Sequence, residues 1–153
     1  ISQRNLTAGN AARMFAMTAA SQADAFIAAW GYKYRYNLLR PRTYIRRVID
    51  PTWEPLIPTP PFPEYPSAHS AQSAAAATVL TELVGAVPFD DSTGLALGPA
   101  VRRFDRFMDA AYQAGESRIF GGIHFPAGNL GGREVGACIG ARVVERFRKA
   151  GRP

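Results

Sequence analysis

Residues 63–77 read "PEYPSAHSAQSAAAA", and this stretch decides the fold. A proline-dense segment ends at Pro66. Ser67 follows in the position of a helix N-cap, and a run of alanines, the best helix formers, begins behind it. Gly85 stands where a helix would end on a C′ glycine, so the spacing predicts a helix over 67–83. So many small side chains predict a helix packed tightly among others. His69, one of only two histidines in the chain, lies in the first turn of that helix. Free backbone N–H groups and the positive end of the helix dipole make such a turn an anion site. Ser67 is there either a simple cap or a hydroxyl turned toward a ligand oxygen.

Outward from this helix the chain stays helical. Residues 8–37 carry apolar residues at helical spacing and predict one long helix with a break at Gly31. Pro41 stops any helix near Leu39. The stretch "PTWEPLIPTPPFPEYP" over 51–66 holds too much proline for a regular element. It reads as a long ordered loop anchored by Trp53, Leu56, Ile57, Phe62 and Tyr65, and loops of that length usually serve function. A further helix is expected over 99–114, with an apolar stripe at Val101, Phe104, Phe107, Met108 and Ala111. A last helix is expected over 130–149, despite the glycines of "LGGREVG". Strand patterns are weak and no internal repeat is visible. The expected class is all-α, a helical bundle, in a single domain spanning 1–153.

Composition narrows the function. Apolar residues make up 47% of 153 residues, enough for a packed core rather than disorder. No apolar run is long enough to span a bilayer, and no signal segment stands at the start. Cys138, the single cysteine, permits no intrachain disulfide and reads as a buried packing thiol among small residues. The net charge is +6, carried by sixteen arginines and only two lysines, Lys33 and Lys149. Arginine's planar fork suits bidentate contact with phosphate-like oxyanions. The arginines are scattered and form no nucleic-acid motif, so nucleic acid is not expected as a partner.

Three clusters carry the chemistry. Lys33 and Arg40, seven residues or two helical turns apart in "KYRYNLLRP", are expected to lie on one helix face, a face also consistent with Asn37. Ser67 and His69 form the second cluster. Arg118 and His124 form the third, in "SRIFGGIH", where Gly121 and Gly122 allow a sharp turn and a close approach. Each has an ordinary alternative: a solvated lysine, a cap, a core imidazole. Together they fit one task, holding a tetrahedral or trigonal-bipyramidal oxyanion. The cations neutralise its oxygens, one histidine attacks or coordinates its central atom, and the other serves as acid or base.

The order Lys33–x6–Arg40–Pro41, then Pro66–Ser67–Ala68–His69, then Ser117–Arg118–x3–Gly122–x–His124 resembles the three-part signature of the vanadium-dependent haloperoxidase and type 2 phosphatidic acid phosphatase superfamily. The likeness spans about residues 8–148. It implies a helical bundle of the vanadium haloperoxidase and acid phosphatase type. Lys33, Arg40 and Arg118 would bind vanadate or phosphate oxygens. Ser67 and the backbone N–H of Ala68 would bind others, and His69 would be the acid–base. His124 would ligate vanadium, or attack phosphorus in the phosphatase branch. Lys33 would also polarise bound peroxide.

The resemblance thus implies halide oxidation by hydrogen peroxide at a histidine-bound vanadate, with a soluble phosphomonoesterase acting through a phosphohistidine as the alternative. A third alternative is a non-catalytic oxyanion-binding or structural subunit. Phe62 falls where haloperoxidases place an aromatic or histidine near the vanadate. Two positions depart from the pattern. Ala68 replaces a glycine. Gly128, followed by Asn129, stands where the family commonly has an aspartate that orients the second histidine; Asn129, a backbone carbonyl or Glu116 is expected to take over that task. An aspartate introduced at 128 is expected to tighten vanadate binding. Family domains also carry further helices before the lysine motif. The chain therefore resembles the C-terminal, active-site half of a larger bundle, completed by another chain or a removed N-terminal segment. The family resemblance leans toward a secreted or periplasmic setting.

Overall fold

The computed structural model describes residues 6–98 and 100–150. Five α-helices are present among the described residues: α1 (Ala8–Tyr36), α2 (Pro41–Val48), α3 (Ala68–Val84), α4 (Phe107–Phe120) and α5 (Pro126–Ala150). Strands β1 (Phe89–Asp91) and β2 (Arg102–Phe104) form a small antiparallel hairpin beside them, pairing Phe89 with Phe104.

The alanine-rich helix α3 is the hub and packs against α1, α4 and α5. Ser67 caps it, accepting from the Ser70 N–H, and Gly85 ends it with φ 83°. Small residues let its neighbours come close. Ala25 and Ala29 of α1 meet Ala71 and Ala75 of α3, flanked by Trp30 and Ile139. At the far end Met17, Val79, Val143 and Val144 form a second cluster. On α5, Gly132, Gly136 and Gly140 face α3, and a Cβ on each would collide with Ser67, Ala71 and Ala75 backbone oxygens respectively. Four-residue spacing puts these glycines on one face. They are the surface on which α5 lies against the α3 backbone rather than a helix-weakening run.

Several expectations are corrected. Gly31 does not break α1, which runs to Tyr36. The stop comes from Asn37, which adopts a left-handed conformation (φ 48°) and returns its N–H to the Lys33 carbonyl. Pro41 does not merely block a helix. It occupies the first turn of α2, where its missing N–H costs nothing. Lys33 and Arg40 therefore do not share a helix face, because α1 ends between them. The helix expected over 99–114 is α4, displaced to Phe107–Phe120. Pro99, its expected start, lies outside the described residues, and Arg102–Phe104 pairs as β2 instead. Cys138 is exposed, because the glycines at 136 and 140 take the packed face of α5. The 51–66 stretch is free of helix and strand as expected, but Leu56 points into solvent at 84% exposure and anchors nothing.

Candidate functional site

Proline explains how the site is built. Each proline in the 51–66 loop removes a backbone donor and keeps a carbonyl acceptor, so the loop has acceptors in surplus. Lys33, fully buried near the end of α1, answers that surplus. Its ammonium donates to the carbonyls of Pro63 at 2.9 Å, Glu64 at 3.0 Å and Pro66 at 2.6 Å. An ammonium has three donors and no acceptor, so this cage uses all of them. Burial, reinforced by the nearby Arg40 charge, pulls the Lys33 pKa down to about 8, against a raising contribution from Glu64.

Arg40 grips the same loop from the other side of the α1–α2 break. Its Nε donates to the Phe62 carbonyl at 2.9 Å, and Nη1 donates to the Ile123 carbonyl at 2.8 Å. Both cations lie over the Phe62 ring, with Lys33 Nζ 5.3 Å and Arg40 Cζ 5.0 Å from its centroid. The Arg40 guanidinium also carries Nη2, which is buried and has no partner.

His124 sits where α4 gives way to α5. Gly122 makes that turn with φ 75°. Its close approach is to Pro55 and Trp53 of the loop, both 3.0 Å from a Cβ placed there. His124 Nε2 lies 3.1 Å from Arg40 Nη1, and Nδ1 lies 2.7 Å from Glu64 Oε1. Phe125 N–H donates to the same Glu64 oxygen at 3.1 Å. Burial lowers the His124 pKa and outweighs the Glu64 hydrogen bond that raises it; Arg40 lowers it further.

This gives a stability expectation with a definite sign. The folded His124 pKa is below its ordinary value near 6.5, so the unfolded chain binds the proton more readily. The contribution is therefore complete above about pH 6.5 and is lost as pH falls through the lower folded value. Denaturation midpoints measured from about pH 8 to about pH 5 in a His69→Gln background should decline toward acid. Flat midpoints would contradict a buried neutral His124.

The remaining candidates flank this centre. Ser67 is buried; its Oγ accepts from the Ser70 N–H at 3.3 Å and shares a hydroxyl–hydroxyl hydrogen bond with Ser70 at 3.0 Å. Ala68 begins α3 without positive φ, so the alanine carries no backbone strain. The first N–H groups of α3, on Ala68 and His69, have no intrahelical acceptor. His69 is exposed, and its pKa is lowered by partial burial and then by the charges of Arg118 and Lys33. Arg118 is half-buried, and its Nε donates to Ser117 Oγ at 3.0 Å. Among the described residues, no three His, Cys, Asp or Glu side chains form a cation cage.

Sequence reasoning missed Glu64. The task expected of Asn129, a backbone carbonyl or Glu116 falls to this loop carboxylate. Asn129 is turned the other way and accepts from Ser70 Oγ, while Glu116 is exposed. An aspartate at 128, expected to tighten binding, has no room while Glu64 keeps its place, because a Cβ on Gly128 would overlap the Glu64 carboxylate. The available signal was Glu64 itself, a lone acid three residues before the Ser67 cap.

The arrangement has close relatives. The family described as the VCPO second helical-bundle domain matches residues 13–152. A solved structure described as the first bacterial vanadium-dependent iodoperoxidase is 45% identical, with a TM-score of 0.82 over 87% of this chain and 33% of that one. Holo- and apo-type structures of a bacterial vanadium-dependent chloroperoxidase share the fold, at 20% and 19% identity and TM-scores of 0.72 and 0.76. They are matched over 84% and 89% of this chain and 34% and 36% of theirs. The chain thus spans about a third of each of these structures. No curated protein matches it.

Proposed function

Because the chain belongs to the family of the VCPO second helical-bundle domain, we propose that it forms the vanadate-binding site of a haloperoxidase that oxidises halide with hydrogen peroxide. Iodide is the halide named for the 45%-identical relative and is the first to test. One observation carries the reading. The Arg40 guanidinium reaches His124 Nε2 yet keeps a buried, unpartnered Nη2. A buried donor without an acceptor costs about 1–3 kcal/mol, which an oxyanion there would recover. The donor set fits such a group: guanidinium, helix N–H groups and an imidazole lone pair, with no cluster suited to a bare cation among the described residues.

Arg40, Arg118, Ser67 and the Ala68 N–H would hold the oxygens, and His124 Nε2 would ligate the metal. When bound, vanadate supplies Lewis-acid activation of peroxide toward halide. Lys33 keeps the Pro63–Pro66 loop in place and adds positive charge at the site. His69, open to solvent on one side and held toward neutrality by partial burial and then by its cationic neighbours, is suited to pass protons between the site and solvent. The exposed Phe15, Ile27 and Tyr34 of α1, and the roughly 430 Å³ groove lined by Ile27, Ala28, Ile139 and Arg142, would be covered by the remainder of a larger helical assembly. No described helix is long and apolar enough to cross a membrane.

The test is iodide oxidation by the folded chain with vanadate and peroxide, alongside aryl-phosphate hydrolysis. Vanadate-dependent triiodide formation is expected. Phosphate-ester turnover without iodide oxidation would replace this reading with the phosphatase alternative. Neither activity on a vanadate-bound chain would leave an oxyanion-binding subunit.

A further inference from the structure

We propose that Glu64 is the positioning residue of His124, and that residue 128 is a glycine because the Glu64 carboxylate occupies its side-chain space. The consequence for ligand binding rests on the oxyanion reading above; the geometry does not.

A neutral imidazole has one N–H and one lone pair, and its surroundings choose between them. On one side of His124 is a carboxylate, which as an ionised group only accepts. On the other is a guanidinium, which only donates. The tautomer that satisfies both carries its proton on Nδ1, donated to Glu64, and presents the Nε2 lone pair to Arg40. Both partners are nearly sealed from solvent, at 3% exposure for the His124 side chain and 2% for Glu64. Reversing the ring would bury two mismatches at once.

Glu64 is fixed at both ends. Its N–H donates to the Leu38 carbonyl at 2.9 Å, and its own carbonyl accepts from Lys33. Its Oε1 takes the Phe125 N–H as well as the imidazole. The socket holding the carboxylate is the empty side-chain position of Gly128. A Cβ there would lie 2.6 Å from Oε2 and 2.7 Å from Cδ, closer than side chains tolerate. The α5 backbone has little room to retreat, because the Gly128 carbonyl accepts from the Ser67 N–H at 2.8 Å. A glutamate at 64 and a side chain at 128 therefore exclude one another. A carboxylate starting from residue 128 would begin in the space that the Glu64 carboxylate now fills.

The readout is the tautomer of His124 by long-range proton–nitrogen NMR in the ligand-free protein. It is tractable because only two histidines exist, and His69→Gln assigns them. The parent protein should show a single Nδ1–H tautomer. Glu64→Gln, whose amide oxygen still accepts, should keep it. Arg40 still holds the Nε2 lone pair in Glu64→Ala, so the tautomer stays, but the hydrogen-bonded Nδ1 proton signal should be lost and inorganic phosphate binding should weaken by about 10–100-fold. Gly128→Ala should give the same signature with the glutamate intact. Glu64→Ala combined with Gly128→Asp should restore both the hydrogen-bonded Nδ1 proton signal and the affinity.

An unchanged Nδ1 proton signal and unchanged phosphate affinity in Glu64→Ala would overturn the positioning role, and an unperturbed Gly128→Ala would overturn the steric pairing. Should Glu64→Ala fail to fold, Glu64→Gln and Gly128→Ala still decide both points. Changes in the Nδ1 proton signal as expected in a protein that binds no phosphate would uphold Glu64 while sinking the oxyanion reading.

Discussion

Replacing Arg40 with alanine is expected to lower the affinity for phosphate or vanadate by ~100-fold or more. A hydrogen bond between charged groups is worth about 1.5–3 kcal/mol, Nη2 is the donor left for a ligand, and removing the side chain also takes its positive charge from the site. Arg40→Lys should not rescue binding. An ammonium at that position has no planar fork, so it cannot hold the Phe62 and Ile123 carbonyls and still reach a ligand beside His124. Titration calorimetry with each anion, on variants checked for native helicity, measures the effect. A loss below about 5-fold would mean that the unpartnered Nη2 is not aimed at an anion.

The largest effect on stability is expected from Lys33→Met. Burying a charge is costly, and exchanging an ion pair for apolar groups is often neutral or stabilising. Here the partners are not a second charge but three carbonyls in a loop poor in donors. Methionine would relieve the lysine's desolvation and strand those acceptors. With about 1–3 kcal/mol per orphaned buried carbonyl, some of it recovered by relaxation, a net loss of about 3 kcal/mol is expected. For a chain of this size that is a fall in Tm of about 6–12 °C. Thermal unfolding measures it directly. A change under about 2 °C would show that the lysine's desolvation cost balances its bonds.

What could be read from the sequence was whatever depends on neighbours along the chain. Ser67, Ala68 and His69 are consecutive, the alanines behind them form a helix almost unaided, and the structure begins α3 within one residue of the expectation. Lys33, Arg40 and His124 do meet. The reason they meet was not legible, because it turns on Asn37 adopting a left-handed backbone and on a lysine satisfying carbonyls some thirty residues away. Glu64 was invisible for the same reason. Residues in a proline-rich loop have no periodicity from which a facing direction can be inferred. Phe104 fitted the apolar stripe of a helix, and its pairing with Phe89 of β1 placed it in a short strand instead.

The glycine face of α5 has a consequence for descent. Gly128 precedes Gly132, Gly136 and Gly140 at the same four-residue interval, so the stripe that lets α5 touch α3 runs on into the socket beside the histidine. A lineage carrying Glu64 cannot acquire a carboxylate at 128 by one substitution without crowding the first. It cannot give up Glu64 first without leaving His124 unsupported. The two placements are separated by a low-fitness valley, and which one a chain carries should be inherited as a linked pair.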